Sequence, residues 1–144
     1  MRRPRQREKY LVRHGIQPDL VLCSTAERAS QTWGHVEEAF KVVPPVEYSE
    51  RLYLASANEI ISQLADIPDG VQRLMIVGHN PGLHQLCLKL TKKGAEHLLD
   101  MIVLKFPTCA FAAIELGDIA WSELARAQGE LTAFVTPKSA LGGD

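Results

Sequence analysis

YLVRHGIQPDLVLCS, residues 10–24, contains the triplet Arg13-His14-Gly15 followed by an apolar run, and the fold turns on how that triplet is read. One reading is a strand that delivers a nucleophilic histidine at its end. The other is a helix end whose histidine has no chemical role. Only Ile16, Gln17, Pro18 and Asp19 separate Gly15 from the run Leu20-Val21-Leu22-Cys23. Parallel strands of one sheet need a crossover of about a dozen residues or more, so two parallel strands do not fit here. An antiparallel hairpin would fit, but it would leave His14 and Ser24 at opposite ends of the sheet. A helix exit suits every residue: Gly15 takes the left-handed position after the cap, Ile16 folds back onto Leu11, and Pro18 prevents continuation. The stretch therefore predicts a helix over 5–14, with His14 at its end, feeding a buried strand.

A second apolar run, Leu74-Met75-Ile76-Val77, is also bounded by turn formers and followed by a helical pattern. Two such runs predict strands buried on both faces of a parallel sheet. Ser24 and Glu27 have capping-box spacing and predict the start of a helix carrying Ala29, Trp33, Val36 and Phe40, which stops before Pro44-Pro45. Ser56 and Glu59 repeat the spacing ahead of Ile60, Ile61 and Leu64, with a short strand at 46–48 between the two helices. Asn80 as cap and Pro81 in the first turn predict a helix with Leu83, Leu86, Cys87 and Leu90 on its buried stripe. A short helix at 94–103, strands at 109–116 and 129–135, and a soft tail beyond Pro137 complete the pattern.

The chain of 144 residues is 46% hydrophobic, the size and composition of one domain, 1–144. Its formal charge of −1 gives no reason to expect nucleic-acid or membrane binding. The local basic run Arg2, Arg3, Arg5, Arg7 and Lys9 reads as the solvated face of the first helix. Cys23, Cys87 and Cys109 are odd in number and lack metal or redox spacing, which predicts reduced thiols and a cytoplasmic protein. No pair of histidines has convincing metal spacing, and no cofactor motif occurs. There is no signal-type segment and no membrane-length apolar stretch.

In an open α/β sheet, ligands bind beyond the carboxyl ends of the strands, where helix N-termini present free amides. Ser24 and Arg28 follow the first strand; Gly78, His79 and Asn80 follow the second. An arginine, an imidazole and a helix terminus together can hold a phosphoryl group. On spacing alone, Arg28 reads more simply as a surface ion-pair partner of Glu27 or Glu38, and His79 equally well as a structural histidine. His35, His84 and His97 read as helix-surface residues. The local pattern supports an anion site and stops there.

The run from Ser24 to Thr32, STAERASQT, preceded by Pro18 to Cys23, resembles a block of the histidine phosphatase superfamily, specifically its SixA-like phosphohistidine phosphatase branch. Val77-Gly-His79-Asn80-Pro-Gly82 resembles that branch's second histidine block. Glu50-Arg-Leu-Tyr53, Phe106-Pro-Thr108 and the segment from Gly129 to Pro137 fit its order. The resemblance runs from about residue 5 to the C-terminus. It implies a three-layer α/β/α, phosphoglycerate-mutase-like fold with a mostly parallel central sheet.

It also implies hydrolysis of phosphohistidine or another small phosphorylated substrate through a phosphohistidine enzyme intermediate. Arg28 would bind phosphate, His79 would contact the phosphoryl group and support the transition state, and Ser24 and Asn80 would complete the substrate-binding set. No metal or cofactor is implied. Glu50 and Glu59 are the only carboxylates that suggest themselves as a general acid, and weakly. The family carries its attacking histidine in an Arg-His-Gly or Arg-His-Ala motif ending the first strand, in the middle of the sheet. The helix-exit reading of His14 leaves that strand unaccounted for. The expectation is therefore a chain shortened at its N-terminus relative to the family, keeping much of the phosphate pocket without the covalent step, and exposing a sheet edge open to self-association. A non-catalytic module binding a phosphorylated partner and a degenerate fragment are the alternatives.

Overall fold

A computed structural model describes residues 4–138. Helix α1 (Gln6–Arg13) ends as the sequence dictates. Gly15 adopts φ +60°, its N–H donates to the Val12 carbonyl at 3.2 Å, and the Ile16 N–H donates to the Leu11 carbonyl at 3.0 Å. This pair of bonds satisfies two carbonyls that a helix end otherwise leaves open. Ile16 packs into the same apolar cluster as Leu11. His14 is the exposed C-cap, stacked on the Tyr10 ring at 3.9 Å, with Nδ1 donating to the Tyr10 carbonyl at 3.1 Å. Of the basic run, Arg2 and Arg3 lie outside the described residues. Arg7 departs from the expected solvated face: it is buried together with Glu8, with which it forms an ion pair.

Strand β1 (Leu20–Ser24) is buried at every position and lies between β2 (Val46–Ser49) and β3 (Leu74–Val77), both parallel to it. Asp19 sets where β1 begins. Its carboxylate accepts from the backbone N–H of Gln72 (2.8 Å) and Arg73 (2.9 Å), and its own N–H donates to the Arg73 carbonyl at 2.8 Å. Those two backbone donors hold the carboxyl below its ordinary value of 3.8.

The second sheet has the order β4 (Thr91–Gly94), β6 (Gly129–Val135), β5 (Phe111–Glu115), with β4 parallel and β5 antiparallel to β6. Helices α1 and α2 (Glu27–Val36) cover one layer of apolar packing through Leu11, Ala29, Trp33 and Val36. Helices α3 (Ala57–Leu64) and α4 (Gly82–Leu90) cover the other through Ile60, Leu64, Leu86 and Leu90. Helix α5 (Glu96–Leu104) packs Ile102 against Leu131 and Phe134 of β6.

The fold is thus of the expected α/β class, with a parallel sheet around β1 covered by helices, and among the described residues its strands form two three-stranded sheets. Both packing layers nevertheless run through the two sheets. Leu74 and Ile76 share a cluster with Ile114, while Met75 and Val77 share another with Phe111. Along β3 three of four side chains are only half buried, as suits a strand with one unpaired edge.

Three local expectations change. Pairing with β2 extends β1 through Ser24, so α2 starts only at Glu27 with Ala26 as its cap, and the Ser24–Glu27 box does not form. The Asn80-Pro81 peptide is cis and α4 begins at Gly82, although the Asn80 Oδ1 still accepts the His84 N–H at 3.2 Å. Strand β4, with its two exposed lysines, has no apolar signature and was not expected. The Ser56–Glu59 box does form.

Two stability measurements follow. Gly15→Ala places a side chain at positive φ and should cost about 1 kcal/mol, lowering the thermal midpoint by a few degrees, whereas His14→Ala should leave it nearly unchanged. Asp19 is depressed in the fold, so its contribution is complete above the unfolded value and is lost as pH falls through the lower folded value. Asp19→Asn should therefore melt below the wild type at neutral pH, and the difference should close once the pH is well below 3.8.

Candidate functional site

The register of β1 on β3 pairs Cys23 with Val77, so the residues that follow each strand emerge side by side at one end of the sheet. Ser24 and His79 meet there, with Ser24 Oγ 2.8 Å from His79 Nε2. Ser24 is completely buried, and its Oγ also accepts the Ala26 N–H at 3.2 Å. His79 is half buried. Tyr53 meets its ring at right angles, with centroids 5.4 Å apart.

Tyr53 follows a single 3-10 turn, Glu50–Leu52, at the end of β2. The loop it opens is pressed onto the start of α4. A Cβ on Gly82 would lie 2.2 Å from the Ala55 carbonyl oxygen, so only glycine permits this approach. Leu54 between them has φ +56° and is 74% exposed, a left-handed leucine turned to solvent at the rim. Tyr53 also borders an open polar cleft of about 530 Å³ lined by Arg51, Asn58, Glu59, Ser62 and Gln63.

Arg28 stands in the first turn of α2, four residues beyond Ser24. Its side chain is exposed and takes no hydrogen bond or ion pair among the described residues, so the surface pairing with Glu27 or Glu38 is not formed. The first-turn amides of α2 and this guanidinium give the end of β1 an anion-attracting character.

Asn80 is exposed but its side chain is occupied. Oδ1 accepts the His84 N–H, and Nδ2 donates to the Phe106 carbonyl at 2.7 Å, clamping the loop after α5 to the start of α4. His84 completes this clamp through Nε2, which donates to the Ile102 carbonyl at 2.6 Å. The expected helix-surface place gives way to a half-buried one against α5, a long-range contact that the local sequence does not signal. Tyr53 was visible only as part of a sequence block.

His14 is not brought to this cluster. It lies beside the loop entering β1, while Ser24 lies at the exit, so a strand rising roughly 3.3 Å per residue separates them. Glu59 is committed to its capping box, where the Ser56 backbone N–H holds its carboxyl below the ordinary value. Glu50 is exposed at the start of its turn. All three cysteines are free, and burial pushes the Cys23 thiol up to about 11 and the Cys87 thiol up to about 12. Among the described residues no three His, Cys, Asp or Glu side chains gather in a metal-binding group, and no helix is long and apolar enough to cross a membrane.

The chain matches no protein-family model. It is 36% identical over 119 residues to an uncharacterized protein of Mycobacterium leprae, covering 82% of this chain and 71% of that one. An uncharacterized protein of Mycobacterium tuberculosis H37Rv is 33% identical over 122 residues, with 83% and 74% covered. Among solved structures, a protein of Nakamurella multipartitia assigned as the phosphohistidine phosphatase SixA superposes with a TM-score of 0.69 at 26% identity, covering 91% of this chain and 77% of that one. One from Agrobacterium tumefaciens with the same assignment gives 0.68 at 28% identity, covering 90% and 75%. A protein histidine phosphatase SixA in complex with tungstate gives 0.69 at 19% identity, covering 92% and 78%, which bears on the fold alone.

Gly82→Ala should force α4 and the Tyr53 loop apart and cost about 1–3 kcal/mol. Chemical denaturation measures the loss. The His79 ring resonances should shift with it, since the aromatic contact depends on the same approach.

Proposed function

We propose, from the premise that this chain belongs to the SixA-like branch of the histidine phosphatase superfamily, that it is a phosphatase-type domain acting on phosphohistidine in a protein or on another small phosphorylated substrate. The observation that carries the reading is His79 fixed by Ser24 at the joint end of β1 and β3, with the unpaired Arg28 in the first turn of α2. A phosphoryl group at that end would meet the Arg28 guanidinium in a two-pronged contact, the free amides of α2, and a hydrogen bond from the His79 ring. The α2 amides and the His79 ring are held in place, whereas the exposed Arg28 side chain is free to close on the phosphoryl oxygens, where negative charge accumulates.

The chemistry runs through a phosphohistidine enzyme intermediate. A ring nitrogen of the attacking imidazole donates its lone pair to phosphorus, the bond from phosphorus to the leaving atom breaks, and the leaving group takes up a proton. Water then attacks the intermediate, releasing phosphate and restoring the imidazole. We exclude His14 from the attacking role, because α1 and the length of β1 hold it away from Ser24 and His79. The other described histidines are engaged or remote: His14 ends α1, His35 lies in the last turn of α2, His84 is bonded to Ile102, and His97 is exposed on α5. The unpaired edges of β3 and β5 offer a route to self-association, and three free cysteines suit the reducing cytoplasm.

The commitments of those histidines favour a second reading for the chain as it stands, a module that binds a phosphorylated partner without turning it over. Titration with tungstate as a phosphate mimic, alongside turnover of a phosphohistidine peptide, separates the two. Arg28→Ala should weaken tungstate binding about tenfold or more, the loss of a charged hydrogen bond, and His14→Ala should leave it unchanged. Turnover that disappears in His14→Ala would make His14 the attacking group and overturn its exclusion. Unchanged tungstate binding in Arg28→Ala would remove the phosphate site itself.

A further inference from the structure

We infer that Ser24 is a positioning residue that sets the tautomer of His79, donating its hydroxyl proton to Nε2 so that the neutral ring carries its hydrogen on Nδ1. The inference rests on the reading of His79 as the phosphoryl-contact histidine. It departs from the expectation that Ser24 itself binds substrate.

The argument is a count of donors and acceptors. Ser24 Oγ lies at the sheet end with no solvent exposure, so water is not available to satisfy it. It accepts the Ala26 N–H at 3.2 Å and stands 2.8 Å from His79 Nε2. A serine hydroxyl has one hydrogen to give. If Nε2 were the donor, Oγ would receive two hydrogen bonds and its own hydrogen would have no acceptor among the described residues. A buried donor left unmade costs more than the bond that displaced it contributes. With Oγ–H donating to Nε2, every group is used: Ala26 N–H gives to Oγ, Oγ gives to Nε2, and Nδ1 keeps the ring's hydrogen.

The consequence reaches the site. The Nε2 edge is turned into the sheet end, and the Tyr53 ring packs across the imidazole at right angles, so rotation of the ring is opposed from two sides. Nδ1–H is then the ring's remaining donor, and it is the atom that would meet a phosphoryl oxygen. Ser24 acts through His79 and touches no substrate. Its neighbour Cys23 contributes nothing comparable: its thiol is buried and faces the Ser24 and Ala29 carbonyls.

The test is the set of nitrogen-15 shifts of the His79 ring in the ligand-free chain at a pH where the ring is neutral. The expected result is hydrogen on Nδ1 and a bare, hydrogen-bonded Nε2; hydrogen on Nε2 overturns the inference with no variant needed. In Ser24→Ala the preference for Nδ1–H should collapse and tungstate binding should weaken about fivefold, while Ser24→Thr, which keeps the hydroxyl, should restore both. A Ser24→Ala protein retaining the wild-type tautomer also overturns it. Tungstate should perturb Nδ1, and perturbation confined to Nε2 counts against the assignment. Failure of the phosphatase reading is told apart, because absence of any tungstate binding removes that reading while the ligand-free shifts still decide the tautomer.

Discussion

The register between β1 and β3 is the constraint on which the rest depends. Asp19 fixes it at the entry end by capturing two backbone donors of the segment leading into β3. At the exit end the same register places Ser24 against His79. A slip of one residue would turn the fully buried face of β1 over and carry Ser24 out of reach of Nε2. Two residues without charge partners of their own, a serine and a histidine, are thus brought into contact by backbone pairing that begins some strand-length away. The arrangement of α2 and α4 follows, since each helix starts within a few residues of those strand ends and is held by an apolar stripe on opposite layers.

The division of the strands into two sheets has a different physical origin. Side-chain packing above and below is continuous from β3 to β5, through Ile76 and Ile114 in one layer and Val77 and Phe111 in the other. Backbone pairing is not continuous. Apolar contact is non-directional and tolerates a gap between strand edges, whereas a ladder of hydrogen bonds spans only about 4.8 Å from one strand to the next. Unpaired backbone groups at those edges are the feature most in need of a partner. Helix α1 lies over this region, linking Leu11 to the layer of Val77 and Tyr10 to Phe111 at 5.8 Å.

Much of the fold was legible because it rests on local chemistry. The exit Gly15-Ile16 requires a residue tolerant of positive φ followed by an apolar one, and the sequence supplies both in order. The capping box at Ser56 and Glu59 is equally local and forms. The matching box at Ser24 and Glu27 fails because a distant strand, β2, competes for the Ser24 backbone and keeps it extended. The same limit explains the site. Arg28 and His79 were visible from their places after apolar runs, but the bond between Ser24 and His79 spans 55 positions and depends on register. Tyr53 and His84 carry no signal of their own; what makes them matter is a glycine contact at Ala55 and a carbonyl at Ile102.

The remaining question of acid catalysis is constrained by what the carboxylates already do. Glu59 lies just beyond the Tyr53 loop, yet its carboxylate accepts the Ser56 backbone N–H at the start of α3, which favours the ionised form. An alkyl phosphate would depend on such a proton, because an alkoxide is a poor leaving group. A phosphoramidate, whose leaving atom is a basic ring nitrogen, takes a proton more readily from the medium. On the proposed reading, a site with phosphate donors at the end of β1 and Glu59 held in its capping box would suit phosphorus–nitrogen cleavage better than phosphorus–oxygen cleavage, and would leave charge stabilisation to Arg28, the α2 amides and His79.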